Sequence, residues 1–87
     1  MTTRQEDNNG AIEEVSKLLS ELAEDINIPK NVKIKINSTI STLKEEKDNL
    51  IKVHKALNEL GDIADDVNIQ PYTRTQIWNL VSILEKL

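Results

Sequence analysis

Eighty-seven residues with a net charge of −4 and no cysteine fit one domain and exclude disulfides, cysteine-ligated zinc and thiol catalysis. Isoleucine and leucine supply 21 of the 33 apolar residues, Tyr72 and Trp78 are the only aromatics, and two glycines with two prolines are too few for a turn-rich β fold. A core of branched aliphatics suits helix packed on helix, and no apolar run approaches the ~20 residues that cross a bilayer.

Residues 1–10 are polar and read as a flexible N-terminal tail. They lack the apolar stretch of a secretion signal, which makes the cytoplasm the expected location. From about Ala11 to Ile26, the positions Ile12, Val15, Leu18, Leu19, Leu22, Ala23 and Ile26 follow the three-to-four spacing of one helical stripe. Asn8 or Asn9 is placed to cap its start. Glu13 and Lys17 stand four apart in the order that favours an ion pair. The break at Asn27-Ile28-Pro29 stops this helix and opens the next, with Ile28 as a staple against the following turn.

The second segment, about Pro29 to Glu46, is locally ambiguous. Val32-Lys33-Ile34-Lys35-Ile36 alternates like a strand, whereas Val32, Ile36, Ile40 and Leu43 form a helical stripe. Asp48 is the expected cap of a third helix running to about Asp66, with Leu50, Val53, Leu57, Leu60, Ala64 and Val67 as its stripe and Ala56 and Ile63 beside it. Gly61 inside it suggests a close helix–helix approach. After Asn68-Ile69-Gln70-Pro71, a fourth helix from about Tyr72 to Lys86 places Ile77, Leu80, Val81, Leu84 and Leu87 on one face, widened by Trp78 and Ile83.

An internal repeat decides the ambiguous segment. Ala23-Glu24-Asp25-Ile26-Asn27-Ile28 returns 41 residues later as Ala64-Asp65-Asp66-Val67-Asn68-Ile69, and the same offset carries Leu19 to Leu60, Ile36 to Ile77 and Leu43 to Leu84. A period of that size marks helix pairs that bury their faces on one another. The expected fold is all-α: a four-helix bundle of two antiparallel helical hairpins in one domain over 11–87, repeat one spanning 11–47 and repeat two 48–87.

The pattern Leu18, Leu22, Asp25, Pro29, Val32, Lys33, then Ile40 and Leu43, resembles a degenerate HEAT-type repeat, and Pro71, Arg74 and the Ile77 to Leu84 stripe look like a second copy. The chain from about Ala11 also resembles a family of short, uncharacterised archaeal proteins. That likeness is carried by Leu-Ala-Glu-Asp at 22–25 with Ile-Pro-Lys-Asn-Val at 28–32, and by Arg-Thr-Gln-Ile-Trp-Asn at 74–79 with Val-Ser-Ile-Leu-Glu at 81–85. The resemblance implies an all-helical fold and an archaeal cytoplasm, and it brings no catalytic residue.

Little chemistry is legible. The only histidine, His54, lies between Leu50 and Leu57 and reads as the edge of the core. Di-metal bundle sites need Glu-x-x-His pairs, and Ile51 stands three residues before His54. No serine sits in a nucleophile elbow and no glycine-rich phosphate loop exists. The expectation is therefore no enzyme and no cofactor. The candidate partner-binding residues are Arg74 with Trp78, four apart on one helix, and Lys44, Lys47, Lys52 and Lys55 around the central loop. Arg74 is expected to pair with Asp65 or Asp66 across the turn, and Lys33 likewise with Glu24 or Asp25.

Charge is segregated. Residues 1–29 carry −5, residues 30–55 carry +4 and residues 56–87 carry −3. The leading reading is a small non-catalytic helical module that binds a protein partner or itself. The alternative is weak nucleic-acid association through the lysine belt of 30–55. Ile34, Ile51 and Ile83 lie off the stripes and, if exposed, suit a dimer.

Overall fold

A computed structural model shows four helices among the described residues: α1 (Arg4–Ala23), α2 (Lys30–Leu43), α3 (Asn49–Ala64) and α4 (Pro71–Glu85). The structure describes the backbone of residues 4–87 and the side chains of residues 10–87. The β-branched run in α2 is helical, so the repeat and not the local alternation decides it. Buried Val32 and Ile36 lie one turn apart, while Ile34 points to solvent. α1 begins at Arg4, so residues 4–10 of the expected tail have helical backbone. Asn8 and Asn9 lie inside that helix and not at its start. The rest of the expected tail, residues 1–3, lies outside the described residues.

Consecutive helices pack side by side, and α1 and α4 meet along a thinner seam that completes a bundle-like all-α fold about 43 Å long. The repeat is written in the burial pattern. Val15 and Ala56, Leu19 and Leu60, and Ile36 and Ile77 are fully buried pairs 41 residues apart. Leu22 with Ile63, Ile28 with Ile69, Ile40 with Val81 and Leu43 with Leu84 are buried as well. One aliphatic cluster thus receives the same face from each hairpin. Buried Thr39 and Thr42 of α2 satisfy their hydroxyls within the helix, donating to the Lys35 and Ser38 carbonyls at 3.0 and 3.1 Å.

Several stripe positions are corrected. Leu18, Ile26, Leu50, Val67 and Leu87 are exposed rather than core. Ile26 and Val67 follow the last helical residues, so the 3.6-residue period no longer aims them inward. Leu50 sits in the first turn of α3, and the stripe there runs instead through Val53, Ala56, Leu60, Ile63 and Ala64. His54, one step off that stripe, is exposed and not at the core edge.

Asp48 caps α3 as expected, its Oδ1 accepting from the Leu50 N–H at 2.9 Å. Gly61 is not a close-approach site, because a Cβ built there meets no heavy atom within 4 Å. Its backbone is ordinary helix. Gly61→Ala is therefore expected to stabilise the fold by about 0.5–1 kcal/mol, read as a higher denaturation midpoint at unchanged slope.

Candidate functional site

The duplicated six-residue phrase is a turn. In each copy an aspartate carboxylate accepts from the N–H two residues on: Asp25 Oδ1 from Asn27 and Asp66 Oδ1 from Asn68, both at 2.8 Å. Ile28 and Ile69 then return to the core. Ile26 and Val67 stand at the turn tips, 89% and 88% exposed. Antiparallel packing brings both turns to one end of the bundle, where Asn31 Nδ2 of α2 donates to Asp66 Oδ2 at 3.3 Å. That end carries two apolar tips, with 70%-exposed Tyr72 in the first turn of α4.

Arg74 fastens the second turn by a different route from the one expected. Its Nε donates to the Ala64 carbonyl at 2.8 Å and its Nη2 to the Asp66 carbonyl at 3.1 Å. The Asp66 carboxylate is already engaged by Asn68 and Asn31, whereas the last carbonyls of α3 lack helical partners and form the negative end of its dipole. No ion pair joins Arg74 to Asp65 or Asp66, or Lys33 to Glu24 or Asp25, and a lysine lacks the planar fork that spans two carbonyls. Trp78, four residues along α4 from Arg74, is 47% exposed.

The other flank of α4 faces α1 across an open groove of about 370 Å³. Leu18 and Leu22 of α1 and Leu80 and Ile83 of α4 give it apolar walls, and Gln76 and Asn79 line it too. Tyr72 bounds it, with its hydroxyl accepting from Gln76 Nε2 at 3.3 Å. Its charged lining residues are Glu21 and Asp25, both acidic.

The repeat explains why this seam is open. Shifting by 41 residues maps Asn79 onto Ser38 and Leu18 onto Glu59. In the seam between α2 and α3, Ser38 Oγ donates to Glu59 Oε2 at 3.0 Å and ties the helices together. Across α1 and α4, the corresponding pair is an amide and a leucine, which make no such bond. The small residues Thr39 and Thr42 of α2 correspond to the bulkier Leu80 and Ile83. One seam is closed by a polar pair and small side chains, and its counterpart is left apolar and wide. Sequence reasoning missed Leu18 and Tyr72 as site residues. The signal was present in the register, where the repeat exchanges a polar residue for an apolar one.

The expected lysine cluster forms at the opposite end, around the α2–α3 loop, but it divides. Glu45 pairs with Lys47 at 3.5 Å and with Lys55 at 3.6 Å. Lys44 and Lys52 instead line a cleft that also receives Lys17 from α1. Lys30 and Lys33 stand in the first turn of α2, at the other end of the molecule. The belt of residues 30–55 is not one surface. Among the described residues no three His, Asp or Glu side chains converge as metal ligands, and no helix is long and apolar enough to cross a membrane.

The fold matches a solved one. A crystal structure of a protein of unknown function, MMP1188, superposes with a TM-score of 0.84 at 30% identity, over 100% of this chain and 96% of that one. Among sequence relatives, UPF0147 protein Ta0600 of Thermoplasma acidophilum is 35% identical over 75 residues, 85% of each chain. A UPF0147 protein of Methanosarcina mazei is 30% identical over 82 residues, 93% of this chain and 88% of its own. UPF0147 protein MJ1419 of Methanocaldococcus jannaschii is 32% identical over 74 residues, 84% of this chain and 80% of its own. These relatives are archaeal, as the Arg-Thr-Gln-Ile-Trp-Asn segment led us to expect. The model of the uncharacterised protein family UPF0147 matches residues 1–87, and the chain belongs to that family.

Proposed function

We propose that this protein is a non-catalytic cytoplasmic interaction module, built from two HEAT-like hairpins, that holds an amphipathic helix of a partner protein in the groove between α1 and α4. The observation that carries this reading is the unequal treatment of two equivalent seams. The inner one is tied by Ser38 and Glu59, while the outer one presents Leu18, Leu22, Leu80 and Ile83 across an open gap. An apolar helix face laid in a groove is a recurrent mode of recognition. Glu21 and Asp25 favour a helix whose apolar stripe is flanked by lysine or arginine. The tips Ile26 and Val67 extend the apolar surface at the same end.

The test uses two designed amphipathic helical peptides with one apolar stripe, flanked by lysines in one and glutamates in the other. The lysine peptide is expected to shift the amide resonances of Leu18, Gln76, Asn79 and Ile83. The paired change Leu18→Glu with Asn79→Ser, which writes the inner-seam pair into the outer seam, is expected to abolish that response while the helical circular dichroism is kept. Equal response to both peptides, or shifts confined to other faces, overturns the proposal. The nucleic-acid reading has less support, because the lysines are split between two ends and the lysine-rich end has no aromatic platform.

A further inference from the structure

Three helices bring lysines to one hollow at the α2–α3 loop end: Lys17 from α1, Lys44 at the end of α2 and Lys52 from α3. The hollow holds about 490 Å³. Ser16 and Ser20 on α1 add two hydroxyls to its wall, and Glu13 is the only acid among its described lining residues. None of the three lysines makes an ion pair with a described residue, although Glu45 lies nearby in sequence and holds Lys47 and Lys55 instead. Like charges set around a cleft repel each other in the free protein and focus an attractive field on an anion. Lysine ammoniums and serine hydroxyls together supply donors suited to phosphate oxygens.

We propose that this cleft is a binding site for a small, multiply charged phosphate compound. It shares no lining residue with the α1–α4 groove and stands or falls independently of it. The choice of a small ligand over a nucleic-acid strand follows from the surroundings. The chain is net negative, with −5 on residues 1–29. A strand leaving the cleft along α1 would meet exposed Glu14 and Glu21. No aromatic residue lines the cleft to stack a base. The sequence pattern hid this site, because Lys17 lies outside the basic segment and Lys47 and Lys55 inside it are already occupied.

The experiment is a ¹H–¹⁵N NMR titration of the full chain with pyrophosphate in about 50 mM salt, repeated at about 200 mM. Amides of Ser16, Lys17, Ser20, Lys44 and Lys52 are expected to shift together, with weaker binding at the higher salt. Lys17→Gln, Lys44→Gln and Lys52→Gln are each expected to weaken binding roughly twofold to fivefold. Glu13→Gln is expected to tighten it, and Lys35→Gln and Lys47→Gln to leave it unchanged. All of these side chains except Lys52 are exposed, and the unshifted spectrum away from the cleft checks that each variant is folded. Three results overturn the proposal: no shift at about 10 mM pyrophosphate; Lys35→Gln weakening binding as much as Lys44→Gln; or a short RNA oligonucleotide binding more tightly than pyrophosphate.

Discussion

Leu60→Ala is expected to lower the stability of this protein by about 3–5 kcal/mol. Leu60 is fully buried in the shared aliphatic cluster and belongs to α3, which packs along both α2 and α4. Its loss removes the transfer energy of three carbons and leaves a hollow that rigid neighbours only partly fill. At about 0.05–0.15 kcal/mol per residue, a chain of this length has a total stability of only about 4–13 kcal/mol. The loss is therefore a large share of the total, and at the lower end of that range the variant sits at its own midpoint in water. Denaturant titration followed by circular dichroism and Trp78 fluorescence measures the loss. Leu19→Ala, the matching position of the first hairpin, is expected to lose a similar amount. Leu18→Ala, one residue away but on the groove wall, is expected to cost no more than about 1 kcal/mol. A Leu60→Ala loss no larger than that of Leu18→Ala contradicts the packing described.

The second large effect is at Arg74. Its guanidinium donates to the carbonyl of Ala64, the last residue of α3, and to that of Asp66 in the turn beyond, and removing it leaves both acceptors without their charged donor. Hydrogen bonds to a charged group are worth about 1.5–3 kcal/mol each. Water can re-satisfy carbonyls at a half-exposed turn, so Arg74→Ala is expected to cost about 2–3 kcal/mol in total. The loss is local first. Hydrogen exchange is expected to quicken at Ile69 and through the first turn of α4, while the Ile28 turn, which has no such arginine, is unchanged. Arg74→Lys is expected to recover less than half of the stability, because an ammonium cannot present two parallel N–H groups. Full recovery by lysine would show that charge alone, and not the fork, fastens the turn.

The sequence carried the helices and most of the core because the repeat supplied a second reading of every position. Ile36 was placed in a helix against its local alternation because Ile77 stands in the same place 41 residues on. The turn phrase was visible as a repeated string, but its meaning was not. Periodicity aims Ile26 and Val67 inward, and only the aspartate-closed turn shows that the helix has already ended. The sequence points Arg74 to the right turn and the wrong acceptor, since composition pairs cations with acids and does not count the carbonyls left over at a helix end. The groove was hidden for another reason. It depends on a contrast between two seams, and such a contrast exists only once it is known which helices are neighbours.

Ser38 and Glu59 on one side, Asn79 and Leu18 on the other, show a division of labour that duplication makes possible. Each hairpin inherits the full set of contacts for clasping the other, yet one clasp suffices to keep the halves together. The second copy is thereby released from that duty, and selection can reshape it without touching the fold. If the outer seam is the binding groove proposed above, change at Leu18 or Asn79 is expected to alter binding while the helical fold is kept.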